Sequence, residues 1–271
     1  MNSETLNSST NNILMREKAL FAWSGGKDSA MALYELQKSR DYEISALLTT
    51  VTEDYDRISM HGVRKILLEQ QAESLGLPLE KIYISKRSSN EEYETKMRDA
   101  LIRYHGMGVS SVAFGDIFLE DLKKYREANL SKVNMKGIFP VWKRNSTELA
   151  HTFIDLGFKA VITCIDSKVL DKTFAGRTFD KQFLSKLPRN VDPCGENGEF
   201  HSFVYDGPIF SKRILYEKGE VVLRDNRYHF CDLIPAVTED IEKDKIGMGA
   251  CRKGKDVCLN YPIVAIAGGK A

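Results

Sequence analysis

One segment combines two glycines, two hydroxyls and a lysine in a way that suits phosphate binding: Ser24-Gly25-Gly26-Lys27-Asp28-Ser29. It follows a short apolar run and precedes a helical pattern, so the positive end of a helix lies where the chain leaves a strand. The glycines can take positive φ and let the backbone approach an anion. The lysine and the hydroxyls add donors. Donors that converge in this way form a nest for phosphate.

The spacing of this segment excludes a Walker A loop, which needs four residues between its first glycine and the Gly-Lys-Ser/Thr triplet. Here the glycines are adjacent, and Asp28 follows the lysine. A plain strand-to-helix turn, capped by Ser24 or Asp28, is the alternative. Because such a cap does not require two glycines and a lysine, the segment favours phosphate binding.

A second segment, which we call the Gly-Glu loop, covers residues 194–199 and leads into His201. Glu196 and Glu199 could hold Mg²⁺, bind an amine or act as a general base, and His201 could shuttle a proton. The alternative is a solvated loop with two surface acids. Cys194 lacks an activating base at an evident spacing and is expected to be structural.

Composition narrows the class of protein. With 271 residues the chain suits one large domain or two modest ones. Its net charge of +1 provides no global basic field, so a nucleic-acid partner is not expected. The five cysteines form no CxxC pair, which argues against a structural zinc site and a secreted disulfide framework. The polar residues 1–17 predict a flexible tail without a signal or membrane segment, and hence a cytoplasmic enzyme.

Apolar runs alternate with amphipathic patterns from residue 19 to about residue 165, which predicts an α/β fold with a parallel sheet covered on both faces. Ligands of such sheets bind at the carboxyl ends of strands. The predicted strands span residues 19–23, 44–51, 81–84, 111–114, 137–139 and 160–165. The predicted helices span residues 29–37, 63–75, 90–104, 118–133 and 147–156.

Short segments and turns dominate from residue 166 to residue 236, which predicts a smaller α+β unit. Two strands, 213–216 and 221–224, flank Lys218-Gly219-Glu220 as a predicted hairpin, and a third is predicted at 228–233. Residues 237–271 begin with a charged segment and form a tail or a peripheral element.

Together, SGGKDS and CGENGEFHSFVYDGPIF resemble the diphthine–ammonia ligase family of N-type ATP pyrophosphatases, over about residues 19–236. SGGKDS resembles the PP-loop of these enzymes, and we use that name for residues 24–29. The resemblance implies a parallel-sheet PP-loop domain of the adenine nucleotide alpha hydrolase type, known as HUP, at residues 18–165. It also implies a substrate-binding α+β domain at residues 166–236. Phe200-His201-Ser202 and Gly115-Asp116-Ile117 depart from the diphthine-acting members and indicate a side branch that is common in bacteria.

The family's eukaryotic and archaeal members use ATP and ammonia to amidate diphthine on elongation factor 2, releasing AMP and pyrophosphate. The resemblance implies that ATP phosphates lie over Ser24, Gly25, Gly26, Lys27, Asp28 and Ser29. The adenine would lie beside Thr49 and Thr50, at the end of the second strand. Gly115 and Asp116 follow another strand end, where a carboxylate can touch the nucleotide or Mg²⁺, and Asp28 and Asp116 are the predicted metal ligands.

Five further side chains are predicted to contact substrate: His61, Arg64, Glu120, Arg126 and Asn197. Arg126 could clamp a phosphate or a carboxylate, or it could form an ion pair on the helix surface. His61 precedes the second helix and could contact substrate or only shape the turn.

The resemblance implies an ATP-dependent, amide-forming ligase. An acceptor carboxylate, on a small molecule or a modified protein side chain, attacks the α-phosphorus of ATP while Lys27 stabilises the leaving pyrophosphate. Ammonia or a small amine then displaces AMP, with Glu196, Glu199 or His201 as base. One alternative is a tRNA-modifying PP-loop enzyme, against which the scattered cysteines and the balanced charge argue. Another is an adenine-nucleotide sensor, which would not need those side chains. A homodimer is left open.

Overall fold

The structure is a computed structural model that describes residues 16–58, 62–85 and 88–236. Most of the predicted N-terminal tail and all of segment 237–271 lie outside the described residues, as does His61. Within the described part of the chain, no helix is both long and apolar enough to cross a membrane.

The first sheet contains the strands β1 (Glu17–Ala22), β2 (Tyr42–Thr52), β3 (Arg57–Ile58), β4 (Leu79–Ile84), β5 (Ser111–Ala113) and β6 (Lys136–Ile138). Five of them run parallel in the order β4-β2-β1-β5-β6, and β3 pairs antiparallel with the end of β2. The first strand of the described residues, β1, is therefore the central strand of this sheet.

The helices of the described residues are α1 (Lys27–Ser39), α2 (Lys65–Leu75), α3 (Asn90–Gly106), α4 (Glu120–Ser131), α5 (Ser146–Asp155) and α6 (Lys181–Lys186). Short 3₁₀ turns lie at Glu53–Tyr55 and Lys172–Phe174. Local sequence signals set several helix ends. The Ser89 side chain caps α3, the Asn145 side chain caps α5, and Gly76 ends α2 at a φ of 67°.

Helices cover both faces of the parallel sheet, as predicted. Successive strand residues face opposite sides, and in β1 the buried Leu20 and Phe21 belong to separate apolar clusters. The Phe21 cluster continues into the second sheet through residues such as Phe203. The predicted α/β architecture with a second, smaller sheet is confirmed.

The second sheet is antiparallel and contains β7 (Lys159–Asp166), β8 (Phe200–Asp206), β9 (Tyr216–Arg224) and β10 (Tyr228–Pro235), in the order β8-β7-β10-β9. The strand predicted at residues 160–165 exists, but its assignment to the parallel sheet was wrong. It pairs with β8 and β10, so the second sheet begins before residue 166. Its residues are buried almost throughout, a pattern that an inner strand shows in either kind of sheet.

The predicted hairpin turn at Lys218-Gly219-Glu220 was also wrong. These residues lie inside the continuous strand β9. The chain turns instead at Asp225 and Asn226, which both have positive φ, at 48° and 50°. Asp and Asn tolerate this conformation, which tight hairpin turns require, so the turn uses residues suited to it.

The strand order opens a crevice at one end of the parallel sheet. After β1 the chain crosses to β2 and β4 on one side, and later to β5 and β6 on the other. The loops that follow β1 and β5 therefore diverge, and such a switch point is where open α/β sheets bind ligands. The PP-loop follows β1, and residues 114–119 follow β5.

Candidate active site

The PP-loop folds around its own hydroxyl groups between β1 and α1. Ser24 Oγ donates to Ser29 Oγ at 3.1 Å, and Ser29 Oγ donates to the Gly26 carbonyl at 2.9 Å. The Gly26 N–H points back to Ser24 Oγ at 3.3 Å. Gly25 has a φ of 77°, where a side chain would be strained. A loop of this shape at the start of a helix is suited to hold a phosphate group.

Gly115 lies directly against the PP-loop. A Cβ atom at this position would come within 2.8 Å of the Ser29 amide nitrogen and 2.9 Å of the Asp28 carbonyl carbon. The loop after β5 can therefore approach the start of α1 this closely because residue 115 has no side chain. The sequence predicts that Gly115 contacts the nucleotide. In the structure, the absence of a side chain at this position is what allows the loop after β5 to pack against the PP-loop.

A cavity of about 270 Å³ opens beside the PP-loop at the carboxyl ends of β1 and β2. Its volume is near the lower end for small-molecule sites. Thr49 and Thr50, predicted to flank adenine, both line it, and so does Ser24 of the PP-loop. Apolar and aromatic residues complete much of the wall, among them Leu48, Ile58, Met97, Leu101, Phe114 and Tyr125.

The side chain of Lys27 is buried between the two sheets, at 4% exposure. Its ammonium contacts both carboxylate oxygens of Asp28 at 2.8 Å and donates to the Cys194 carbonyl of the Gly-Glu loop. The rings of Phe179 and Phe200 lie 5.8 and 5.3 Å from it. Burial alone would lower the pKa of Lys27, but the facing Asp28 carboxylate raises it on balance, so the lysine stays charged.

Glu196 reaches across from the Gly-Glu loop to the loop after β5. Its Oε1 accepts the N–H of Ile117 at 2.7 Å and that of Phe118 at 3.4 Å. Burial raises the pKa of Glu196 to about 7, and the negative charge of Asp28 acts in the same direction. Burial also raises the pKa of Asp28, although Lys27 opposes it. A carboxyl group poised near neutrality, beside a phosphate-binding loop, is suited to proton transfer.

The other acid of the Gly-Glu loop has a different environment. Glu199 is buried and accepts the Asp192 N–H at 3.0 Å, the Asn197 N–H at 2.9 Å and the Asn197 side-chain amide at 3.0 Å. Asp192 Oδ1 in turn accepts the N–H groups of Cys194 and Glu196. These contacts shape the loop that carries Glu196. Catalysis by Glu199 and substrate contact by Asn197 stay predictions.

Cys194 is buried, and its thiol donates to the Ser146 carbonyl at 3.3 Å. Burial raises the pKa of this thiol. Both observations fit the structural role expected for it, because the reactive form of cysteine is the thiolate.

His201 does not share the orientation of its neighbour in β8. The Ser202 hydroxyl accepts the Lys27 N–H at 3.1 Å, so Ser202 faces the PP-loop. Successive side chains of a strand point to opposite faces, which turns His201 away from the PP-loop. Ser202, and not His201, therefore makes the contact with the PP-loop, and the proton shuttle at His201 stays a prediction.

Asp116 and Arg126 form an ion pair at the edge of the cavity. Arg126 Nε lies 2.7 Å from Asp116 Oδ2, and the guanidinium lies 4.3 Å from the centre of the Phe114 ring. Asp116 is nearly buried, and Arg126 lines the cavity. The two side chains lie beside the proposed ligand site and form an ion pair with each other. Contact of either side chain with substrate or metal stays a prediction.

Arg64 and Glu120 lie in ion pairs with other parts of the chain. Arg64 Nη2 lies 2.6 Å from Asp232 Oδ2 of β10, and Arg57 Nη1 lies 2.8 Å from Asp232 Oδ1. Glu120 is exposed at the start of α4, 3.2 Å from Lys143. Arg64 thus joins the first sheet's β3–α2 loop to the second sheet. Its predicted role in substrate binding, like that of Glu120, is not tested by these contacts.

Two family models match the chain, one over the residues of the first sheet and one over the residues of the second sheet. Residues 15–137 match the diphthamide synthase N-terminal domain, and residues 145–234 match the diphthamide synthase C-terminal domain. Together they span most of the sequence. The chain belongs to the diphthamide synthase family. Both segments that carried the resemblance, the PP-loop and the Gly-Glu loop, fall within the matched residues.

Curated relatives of this diphthamide synthase family member are named diphthine–ammonia ligases. The Homo sapiens protein is 27% identical over 232 residues, which cover 77% of this chain and 85% of that protein. The Mus musculus protein is 26% identical over 263 residues, which cover 84% of this chain and 97% of that protein. Among solved structures, a U34-tRNA thiolase from Methanococcus maripaludis matches with a TM-score of 0.33 and 17% identity, over 54% of this chain and 60% of that chain.

The predicted magnesium ligands of this family member, Asp28 and Asp116, are paired with Lys27 and Arg126. Asp28 and Asp116 supply the hard oxygen atoms that Mg²⁺ prefers. Among the described residues, no group of three or more His, Cys, Asp or Glu side chains could hold a metal ion. Since Mg²⁺ on a nucleotide takes most of its ligands from phosphates and water, one or two carboxylates are a sufficient protein contribution.

Sequence reasoning missed Gln71 and Ser202. Gln71 is fully buried in α2 and contacts the residue on either side of Ser24, and Ser202 holds the first N–H of α1. A glutamine at a position where the helical pattern requires an apolar residue was the available signal for Gln71. No pattern of spacing pointed to Ser202, because its partner is distant in sequence.

Proposed function

We propose that this chain is an ATP-dependent, amide-forming ligase that activates an acceptor carboxylate as its adenylate and then transfers ammonia or a small amine to it. The observation that carries the proposal is the position of the PP-loop. It opens α1 at the switch point of the parallel sheet, with a cavity lined by Thr49 and Thr50 on one side and the carboxyl groups of Asp28 and Glu196 nearby. The relatives, which are diphthine–ammonia ligases, add the reaction class.

In the proposed complex the nucleoside occupies the cavity, and the phosphates extend over the PP-loop. The proposed donors to them are the N–H groups of the PP-loop other than that of Lys27, which Ser202 accepts, together with the Ser24 and Ser29 hydroxyls, which would turn from their present partners. These donors would hold the pyrophosphate as its charge develops, which is where preorganised donors act most strongly. Lys27 contributes its positive charge from the buried side, bound to Asp28 and the Gly-Glu loop.

Mg²⁺ bound with ATP would neutralise phosphate charge, and Asp28 and Asp116 are the side chains proposed to face it. The protein's own contacts fix the position of the side chains and loops in this region. Gly115 sets the loop after β5 against α1, and Arg126 fixes the Asp116 carboxylate.

Glu196 is the proposed base of the second half-reaction. Ammonia and amines are protonated at neutral pH, so one proton must leave before or during attack on the adenylate. A carboxyl group with a pKa of about 7 is matched to that task, because it is partly ionised and can still accept a proton. Its contacts with Ile117 and Phe118 hold it beside the loop after β5.

The deciding experiment follows the products of ATP. The purified chain would be incubated with ATP labelled at the α-phosphate, Mg²⁺, an ammonium salt and candidate carboxylates, including a diphthine-bearing protein. We expect AMP and pyrophosphate together with a new amide. ADP as the product, or ATP that binds and stays intact with every acceptor, would contradict the proposal, and the second result would favour a nucleotide sensor.

A matched pair of variants tests the base. Glu196→Gln keeps an acceptor for the Ile117 N–H but cannot take up a proton, so amide formation should fall by about 10²-fold or more while ATP binding remains. Glu73→Gln removes an exposed acid whose partner is Lys212 on the surface, and it should leave the rate unchanged. Equal rates for the two variants would rule out Glu196 as the base.

A further inference from the structure

Gln71 is a fully buried amide whose hydrogen bonds all go to the surroundings of the PP-loop. Its Oε1 accepts the indole N–H of Trp23 at 2.9 Å. Its Nε2 donates to the Gly25 carbonyl at 3.1 Å and to the Val204 carbonyl at 2.6 Å. The side chain is 0% exposed and thus contacts no solvent. One residue of α2 therefore joins the residue that follows β1, the PP-loop and β8 of the second sheet.

The partners fix the orientation of this amide. The Trp23 indole is a donor only, and the Gly25 and Val204 carbonyls are acceptors only. A flipped amide would place Nε2 against a donor and Oε1 against two acceptors. The side chain can therefore satisfy its neighbours in one orientation, with one acceptor and both donors used.

The Gly25 carbonyl is the contact that matters for a phosphate. It accepts Gln71 Nε2 and also the Val204 N–H at 2.9 Å. In a trans peptide the C=O and the following N–H point in opposite directions. Two donors on the Gly25 oxygen therefore keep the Gly26 N–H on the other side, where it approaches Ser24 Oγ. If this peptide flipped, a carbonyl oxygen would face the bound phosphate and repel it.

We propose that Gln71 is a positioning residue for the phosphate site. It holds the Gly25–Gly26 peptide with its N–H toward the interior of the PP-loop, and it ties that peptide to Val204 of the second sheet. This inference rests on the proposed use of the PP-loop for the phosphates of ATP. Gln71 acts through the peptide and does not itself touch the nucleotide.

Two variants of the same helix separate positioning from stability. Gln71→Met keeps the length of the side chain but removes all three hydrogen bonds. Ser74→Ala, three residues further along α2, removes two buried hydrogen bonds to Lys212 of the second unit, at 2.5 and 2.9 Å. Both changes weaken the packing of α2 on the second unit, and Gln71→Met alone reaches the PP-loop.

The measurement compares ATP with adenosine, which carries no phosphate, by isothermal titration calorimetry of the full chain. For Gln71→Met we expect the affinity for ATP to fall about tenfold, as the loss of a buried hydrogen-bond partner suggests, while the affinity for adenosine is unchanged. Ser74→Ala should lower Tm and keep both affinities. If Gln71→Met loses the same factor for ATP and adenosine, or loses neither, the positioning role is refuted.

Gln71→Glu carries the same test if Gln71→Met does not fold. The carboxyl group keeps the shape of the amide, but it offers one donor when protonated and none when ionised to the two carbonyls that Gln71 Nε2 serves. The affinity for ATP should again fall relative to that for adenosine, and an unchanged ratio would overturn the inference. If the parent protein instead binds ATP and adenosine with equal affinity, the proposed function is refuted, and the inference with it.

Discussion

The backbone N–H of Lys27 donates to the Ser202 hydroxyl at 3.1 Å, which joins the first residue of α1 to strand β8. A second link runs in parallel, since the Val204 N–H donates to the Gly25 carbonyl at 2.9 Å. The second sheet is thus bonded directly to the PP-loop. Any shift of β8 relative to the first sheet would change the geometry of the PP-loop. The two sheets therefore contribute to one site.

Ser202→Ala should destabilise the fold because it leaves the Lys27 N–H buried without its acceptor. The expected loss is about 1–3 kcal/mol in the free energy of unfolding, measured by urea denaturation. Ser131→Ala is the matched control. Ser131 is exposed in α4 and donates only to a carbonyl of its own helix, so its loss should stay within about 0.5 kcal/mol. Equal midpoints for the two variants would contradict the importance of the Ser202 contact.

Lys27→Met should weaken folding as well as catalysis. It removes the cation that faces Asp28 in an enclosed site, and an acid left without its partner is costly. We expect a loss on the order of 3 kcal/mol at most, since Asp28 keeps 29% exposure. The double variant Lys27→Met with Asp28→Asn should recover part of it. If urea denaturation gives simply additive losses, the two side chains do not stabilise each other.

Much of the fold could be predicted because local signals are strong in this chain. All six strands predicted between residues 19 and 165 are present, five of them in the parallel sheet, and the caps and glycine stops fall close to the predicted helix ends. The PP-loop was predictable for the same reason. Its glycines, hydroxyls and helix start are consecutive, so the loop could be recognised from six residues, although contacts with Gln71, Ser202 and Val204 complete its geometry.

Most of the errors concern partners that are distant in sequence, and the hairpin turn predicted at residues 218–220 is the local exception. An apolar run predicts that residues 160–165 form a strand, but not which sheet receives it. The composition of the Gly-Glu loop suggested equal roles for Glu196, Glu199 and His201. In the structure their surroundings differ. Glu196 accepts an N–H group of the loop after β5, Glu199 accepts N–H groups of its own loop, and His201 lies in a strand beside Ser202, which faces the PP-loop. The role of Gln71 depends on the packing of α2 against β8, a contact between segments that are distant in sequence.

Glu196 should make the stability of the fold depend on pH. Its pKa rises from 4.5 to about 7 on folding, so the folded chain binds this proton more tightly than the unfolded chain. The stabilisation is present below about pH 4.5 and is lost as the pH rises toward 7. Glu196→Gln cannot ionise, so it should gain stability relative to the parent between about pH 5 and pH 8, on the order of 2–3 kcal/mol.

Urea denaturation of both proteins at the two pH values checks this expectation. Glu73→Gln serves as the control because Glu73 is exposed and its ion pair with Lys212 lies on the surface. Its difference from the parent should be the same at both pH values. A constant difference for Glu196→Gln as well would show that this carboxyl titrates alike in the folded and unfolded chains.

Gly115→Ala should damage the PP-loop from the neighbouring loop, which follows β5. The added methyl group would lie 2.8 Å from the Ser29 amide nitrogen and 2.9 Å from the Asp28 carbonyl carbon, and backbone cannot rotate away as a side chain can. We expect a loss of about 1–3 kcal/mol in stability together with weaker ATP binding. Gly106→Ala is the control, because its methyl group would meet no atom within 4 Å and alanine favours the helix. Thermal unfolding with and without ATP measures both effects. A Gly115→Ala protein that is stabilised by ATP as much as the Gly106→Ala protein would show that the two loops can separate without loss of the site.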